Sequence, residues 1–163
     1  MPGRIATLNI ISPDAEHVYL GAVARCLDVH RADSLAEVRP ILERQLEAPT
    51  EPIILDLMGH STRDHHLLRL GDSVVDMLNP AVARFFKAIA EEDLLTRLQV
   101  TAVRLMGCET AVAPAGKRTL RMLSHTLRLP VFGSIKPIGK SYYDELGFNP
   151  AFNSVLVEAT ELA

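Results

Sequence analysis

Apolar residues fall in short dense runs along this chain, and these runs alternate with segments of helical spacing. Arg4 to Ile11 is rich in branched residues and stops at Ser12-Pro13, which predicts a buried first strand. Ser12 or Asp14 can cap a helix running to about Ala24, and "CLDVHRA" (26–32) then alternates as a short second strand. From Asp33 to Ala48 the residues Leu35, Val38, Ile41, Leu42 and Leu46 recur at helical spacing. Ser34 and Glu37 have the spacing of a capping box there, and Pro40 fits only near the first turn. "PIILDLM" (52–58) is so nearly apolar throughout that it predicts a third strand covered on both faces, as in a parallel sheet.

Past His60 the pattern loosens. "LLRLGDSVVDML" (67–78) predicts two short strands about the turn dipeptide Gly71-Asp72. Asn79-Pro80 opens a helix over 81–98 with a break near Glu92. "VTAVRLM" (100–106) is a fourth sheet strand, 116–129 an amphipathic helix through Leu120, Leu123, Leu127 and Leu129, and "PVFGSI" (130–135) a fifth strand. The run 153–162 suits a strand or a closing helix, and 136–150, dense in Gly, Pro, Lys and Tyr, predicts an ordered surface loop. Strands alternating with helices predict an α/β three-layer sandwich. Its central sheet is mostly parallel, of about five to six strands, with helices on both faces and a small hairpin after the third strand. In such sheets the chemistry gathers where the carboxyl ends of the strands emerge.

Composition narrows the partners. At 163 residues and 48% hydrophobic, residues 1–163 are expected to form a single domain. Lys and Arg number 17 against 20 Asp and Glu, and no basic stretch is interleaved with aromatics, so nucleic acid is not expected as a partner. No run of about 18 apolar residues and no signal-peptide pattern is present, so neither a membrane span nor secretion is expected. Cys26 and Cys108 show no close cysteine spacing, which disfavours a zinc ribbon and a redox pair and suits a reducing, cytoplasmic home. Cys26 reads as a core residue. His65 and His66, adjacent and without a fourth ligand, do not make a metal set with His60 and Asp64, and no metal or cofactor is implied.

The chemistry lies at two echoing strand ends. "DLMGH" closes the third strand with His60, and "RLMGC" closes the fourth with Cys108, 48 residues on. If the two strands are parallel neighbours, His60 and Cys108 stand at one rim, and Gly59 and Gly107 permit sharp exits there. A thiol with an imidazole in reach is an activated nucleophile that suits a cysteine hydrolase.

These residues resemble the caspase-like cysteine peptidases, and most of all compact bacterial CHAT-type or related domains. The likeness lies in a hydrophobic strand ending in His60 and a second ending in Cys108 within "VRLMGCETA", at a known caspase spacing. It covers about Ile5 to Ile135, and only the two strand-end motifs are specific. The resemblance implies a caspase-like fold and a peptidase acting on a protein or peptide, with Cys108 as nucleophile and His60 as base and acid. It implies an oxyanion site made by the backbone N–H groups of Ser61 and Cys108. The family usually has glycine after the histidine, where this chain has Ser61, but any residue except proline carries the donor. Met106, two before the cysteine, would line the pocket for the residue preceding the cleaved bond and favour an uncharged one. Arg63, Asp64, Glu109 and Lys136 are further pocket candidates on the rim, with Lys140 close by.

Two other readings stand beside this one. A catalytically silent caspase-like module that binds a partner suits the small size and the Ser61 departure. A nucleotide-binding P-loop is suggested by Gly139-Lys140-Ser141, but the motif needs its first glycine at 134, which is Ser134.

Overall fold

The computed structural model describes residues 4–15, 29–48 and 51–162. Its strands are β1 (Ala6–Ile11), β2 (Val29–Arg31), β3 (Ile53–Met58), β4 (Arg69–Leu70), β5 (Ser73–Val74), β6 (Val100–Met106), β7 (Val131–Ser134), β8 (Tyr143–Asp144), β9 (Gly147–Phe148) and β10 (Leu156–Glu158). The α-helices are α1 (Val38–Gln45), α2 (Pro80–Glu91), α3 (Leu94–Arg97) and α4 (Pro114–Leu127). Six strands form one sheet in the order β2-β1-β3-β6-β7-β10, parallel except for β10. The expected α/β sandwich with a mostly parallel sheet is therefore the observed architecture. The hairpin after the third strand is β4–β5, turning at Gly71 with φ +59°.

Alternation along the strands divides the core. Leu8, Ile10, Leu55, Leu57, Val103 and Leu105 are buried with residues of α1, α2, α3 and α4 in one apolar cluster. The opposite face carries Ile11, Met58 and Met106, which share a second cluster with Ile138, Tyr143 and Phe148. Among the described residues this second layer consists of the β8–β9 hairpin and turns of 3-10 helix. The helix expected from 12 or 14 to about 24 lies mostly outside the described residues, as does Cys26.

Local signals explain most boundaries and mark some corrections. Asn79 caps α2 by accepting from the Ala81 N–H, with Pro80 at the first helical position. Asp93 takes a left-handed φ of +53° and ends the run that resumes as α3, so the break expected near Glu92 is real. Pro40 sits in the first turn of α1. The capping box does not form: Ser34 makes no side-chain cap, Glu37 accepts from the Asp33 N–H, and the Leu35 N–H goes to Ser73 Oγ. Residues 136–150 are not a surface loop throughout, because Ile138, Tyr143, Gly147 and Phe148 are buried. The closing segment is a strand, β10, between two 3-10 turns.

The second face also holds a buried charge pair. Asn9, Asp56 and Arg104 share one register row across β1, β3 and β6. Arg104 donates through Nε to Asp56 Oδ1 at 2.5 Å and through a terminal nitrogen to Oδ2 at 2.6 Å. Its guanidinium lies 5.3 Å from the Phe148 ring centroid, a cation–π contact that fastens the β8–β9 hairpin over the sheet. Arg4 bonds the Phe148 carbonyl at 2.8 Å and pairs with Asp144 at 2.5 Å, which holds the Asp144 carboxyl below its usual range.

Candidate active site

The register of β3 and β6 builds the rim. Met58 pairs with Met106, so His60 and Cys108 each stand two residues past a matched pair on adjacent parallel strands. Two hydrogen bonds carry the pairing beyond the strands. The Gly59 N–H reaches the Met106 carbonyl at 3.3 Å, and Ser61 Oγ donates to the Cys108 carbonyl at 2.7 Å. His60 and Cys108 are both half-buried at this rim.

The two glycines of the echoing motifs do different work. A Cβ on Gly59 would lie 2.0 Å from the Arg69 carbonyl oxygen, which belongs to the backbone of β4 as it crosses the strand end. A Cβ on Gly107 would meet side-chain tips instead, Ser61 Oγ at 2.8 Å and Leu68 Cδ1 at 3.0 Å. Gly59→Ala should therefore destabilise the protein by about 1–3 kcal/mol or more, the usual cost of overpacking. Gly107→Ala should cost less in stability but displace the Ser61 hydroxyl from the Cys108 carbonyl. Urea midpoints of the two variants check the order, and a Gly107→Ala loss equal to that of Gly59→Ala would contradict it.

The imidazole and the thiol have contacts on opposite sides. His60 Nε2 lies 3.3 Å from the main-chain carbonyl of Asp14, beyond the end of β1. A carbonyl oxygen only accepts, so this contact suits the tautomer with the proton on Nε2 and Nδ1 basic. The Asp14 turn is itself held: its carboxylate pairs with Arg69 at 2.9 Å and accepts from Ser12 Oγ, which accepts from the Gly71 N–H at 2.8 Å. On the β7 side, Cys108 Sγ accepts from the Ile138 N–H at 3.4 Å and lies 3.9 Å from the Ile138 carbonyl oxygen.

A sharp turn presents Cys108. Glu109 takes a left-handed φ of +57°, an unusual conformation for a side chain without special local hydrogen bonding. The turn is pinned to β7 by hydroxyls: Thr110 Oγ1 donates to the Leu105 carbonyl at 3.0 Å and accepts from the Ser134 N–H at 3.0 Å. Ser134 Oγ donates to the Gly107 carbonyl at 2.5 Å, and the Ala111 N–H reaches the Ser134 carbonyl at 2.9 Å. Both hydroxyl residues are buried.

The N–H groups of Ser61 and Cys108 have no acceptor among the described residues. Ser61 opposes Leu68 in an antiparallel bridge whose bonds are carried by the flanking residues, from Arg69 N–H to the His60 carbonyl and from Thr62 N–H to the Leu67 carbonyl. In such a pair the residue's own N–H points away from its partner strand. These two donors at one rim suit an anion that forms only during a reaction.

The remaining candidates divide. Glu109 and Lys136 come together beside Cys108, with the Glu109 N–H 3.4 Å from the Lys136 carbonyl. Arg63 and Asp64 stand on the exposed tip of the 61–68 loop, where Asp64 accepts from the His65 N–H. Met106 is fully buried beside Met58, so it is core and does not line an open pocket. Gly139-Lys140-Ser141 leads into a three-residue 3-10 helix and not the α-helix that a P-loop requires. Among the described residues no three His, Cys, Asp or Glu side chains converge for a metal ion, and no helix is long and apolar enough to cross a membrane.

Sequence reading missed Asp14 as the partner of the imidazole, because a main-chain carbonyl has no side-chain signature. It also missed Ile138, whose signal was an isolated aliphatic residue between Pro137 and Gly139 in an otherwise polar loop. No protein-family model, curated protein or solved structure matches this chain.

Proposed function

We propose that this chain is a caspase-like cysteine peptidase of the compact bacterial type, with Cys108 as nucleophile and His60 as general base and acid. The observation that carries the reading is the matched register of β3 and β6, which puts His60 and Cys108 two residues past paired strand ends, at one rim with the unengaged N–H groups of Ser61 and Cys108. The Cys108 thiolate attacks the peptide carbonyl carbon, and the oxygen's new charge is received by those two N–H groups. Protonated His60 delivers its proton to the departing amine, leaving a thioester on Cys108. Water, deprotonated by His60, then attacks the thioester and frees the acid and the thiol. The Asp14 carbonyl suits the ring tautomer with Nδ1 basic.

One observation favours a second reading, a silent module that binds a partner: the Cys108 sulfur is engaged by Ile138 while the imidazole is engaged by Asp14. A thiol-directed electrophile separates the two. Under the peptidase reading Cys108 is modified at least about tenfold faster than Cys26, and His60→Ala slows that modification because the thiolate loses its cationic partner. Slow labelling of Cys108, unchanged by His60→Ala, would favour the silent module.

A further inference from the structure

The segment after β7 reaches Cys108, and Ile138 is its one buried residue between 135 and 141. Ile135, Lys136, Pro137, Lys140 and Ser141 are exposed, whereas Ile138 is 3% exposed and belongs to the apolar cluster of Met58, Met106, Tyr143 and Phe148. The backbone bonds between Lys136 and Gly139 are sparse: the Lys136 carbonyl accepts from Glu109 at 3.4 Å, and the Gly139 carbonyl accepts from Tyr142 at 3.1 Å. The Ile138 N–H points at the Cys108 sulfur. Beside it Gly139 has open space where a Cβ would be. The segment thus sets an amide on the thiol and buries an aliphatic side chain in the cluster of the second face.

We propose that residues 136–140 act as an internal pseudosubstrate: Ile138 fills the side-chain pocket of the Cys108 site, and the peptide that displaces it carries an aliphatic residue in the same place. This rests on the peptidase reading for the word substrate, but the occupied slot stands on geometry alone. The pocket's occupant explains why Met106 is fully buried, since the space it borders is filled from within. The cluster that takes in Ile138 is apolar, and the buried charges of this face, Asp56 and Arg104, are already paired with each other, which leaves none to match an acidic or basic side chain. Strap and substrate exclude one another, so the competent fraction is set by how readily Ile138 leaves.

Iodoacetamide reads the strap directly, with modification at Cys108 followed by peptide mass. Losing most of the buried isoleucine side chain should raise the open fraction and the alkylation rate of Ile138→Ala at least about tenfold over the wild type. Ile138→Val should give a smaller rise in a protein closer to native, and Lys87→Ala, exposed on α2, should match the wild type. A peptide aldehyde ending in isoleucine, which adds the thiol across its carbonyl as a hemithioacetal, should protect Cys108 in Ile138→Ala. Aldehydes ending in aspartate or arginine should protect it at least about tenfold less. Equal alkylation of folded Ile138→Val and wild type would overturn the strap, and equal protection by all three aldehydes would overturn the pocket. Faster alkylation and selective protection without cleavage of any peptide would support the strap and the slot while removing the peptidase reading.

Discussion

Arg104→Leu is expected to destabilise the protein by about 3–5 kcal/mol, the loss that follows when one partner of a buried ion pair is removed. The Asp56 side chain is 0% exposed and that of Arg104 7%, and both carboxylate oxygens are met by the guanidinium. Leucine would leave the carboxylate without its cation and remove the contact to the Phe148 ring, so the β8–β9 hairpin loosens as well. Burial pushes the Asp56 carboxyl up, and the Arg104 charge opposes that push. Without arginine the folded-state pKa rises further above the unfolded value of about 3.9. A group raised in the folded state contributes stability that is fully present below its unfolded pKa and is lost as pH rises through the folded one. The deficit of Arg104→Leu should therefore be largest at neutral pH and shrink toward pH 4. Urea unfolding at several pH values measures this. Asp56→Leu combined with Arg104→Leu should recover most of the loss, because the desolvation of both charges disappears together. A single variant within 1 kcal/mol of wild type at neutral pH would mean that the pair is not structurally important.

This pair also marks where the sequence was legible and where it was not. The near-continuous apolarity of 52–58 and 100–106 announced parallel strands, and the Met-Gly echo placed His60 and Cys108 at one rim, as the β3–β6 register has it. Asp56 and Arg104 were within the same echo, each four residues before the site residue, with opposite charges. Equal offsets from matched strand ends make them cross-strand neighbours on one face, so the bridge was available to the same argument that paired His60 with Cys108. What periodicity does not carry is the partner of a main-chain group or the covering of a pocket by a distant segment. The Asp14 carbonyl and Ile138 reach the site from beyond β1 and β7, across 46 and 30 residues of chain. Such long-range contacts arise from tertiary packing and leave only weak local marks. The failed capping box is a local matter instead: the Glu37 N–H goes to the Ser34 main-chain carbonyl, and the Glu37 carboxylate accepts from the Asp33 N–H, one residue early.

Cys108→Ala is expected to reduce peptide cleavage to the uncatalysed background, and His60→Ala to lower kcat by about 10²–10⁴-fold, the range for a positioned acid–base group. The two losses should not add. Once the sulfur is absent the imidazole has no thiolate to support, so Cys108→Ala with His60→Ala should be no slower than Cys108→Ala alone. Asp14→Ala separates positioning from chemistry, because alanine keeps the main-chain carbonyl that meets His60 Nε2 and deletes only the carboxylate paired with Arg69 and Ser12. Its effect on kcat should be far smaller than that of His60→Ala. Cleavage of a peptide mixture followed by mass spectrometry, with each variant's unfolding midpoint as the control for folding, gives all four comparisons. A folded Cys108→Ala that still cleaves at the wild-type rate would move the chemistry away from this rim. A His60→Ala that matches wild type would leave Cys108 without its base, and the matched register of β3 and β6 would then serve only to join the strands.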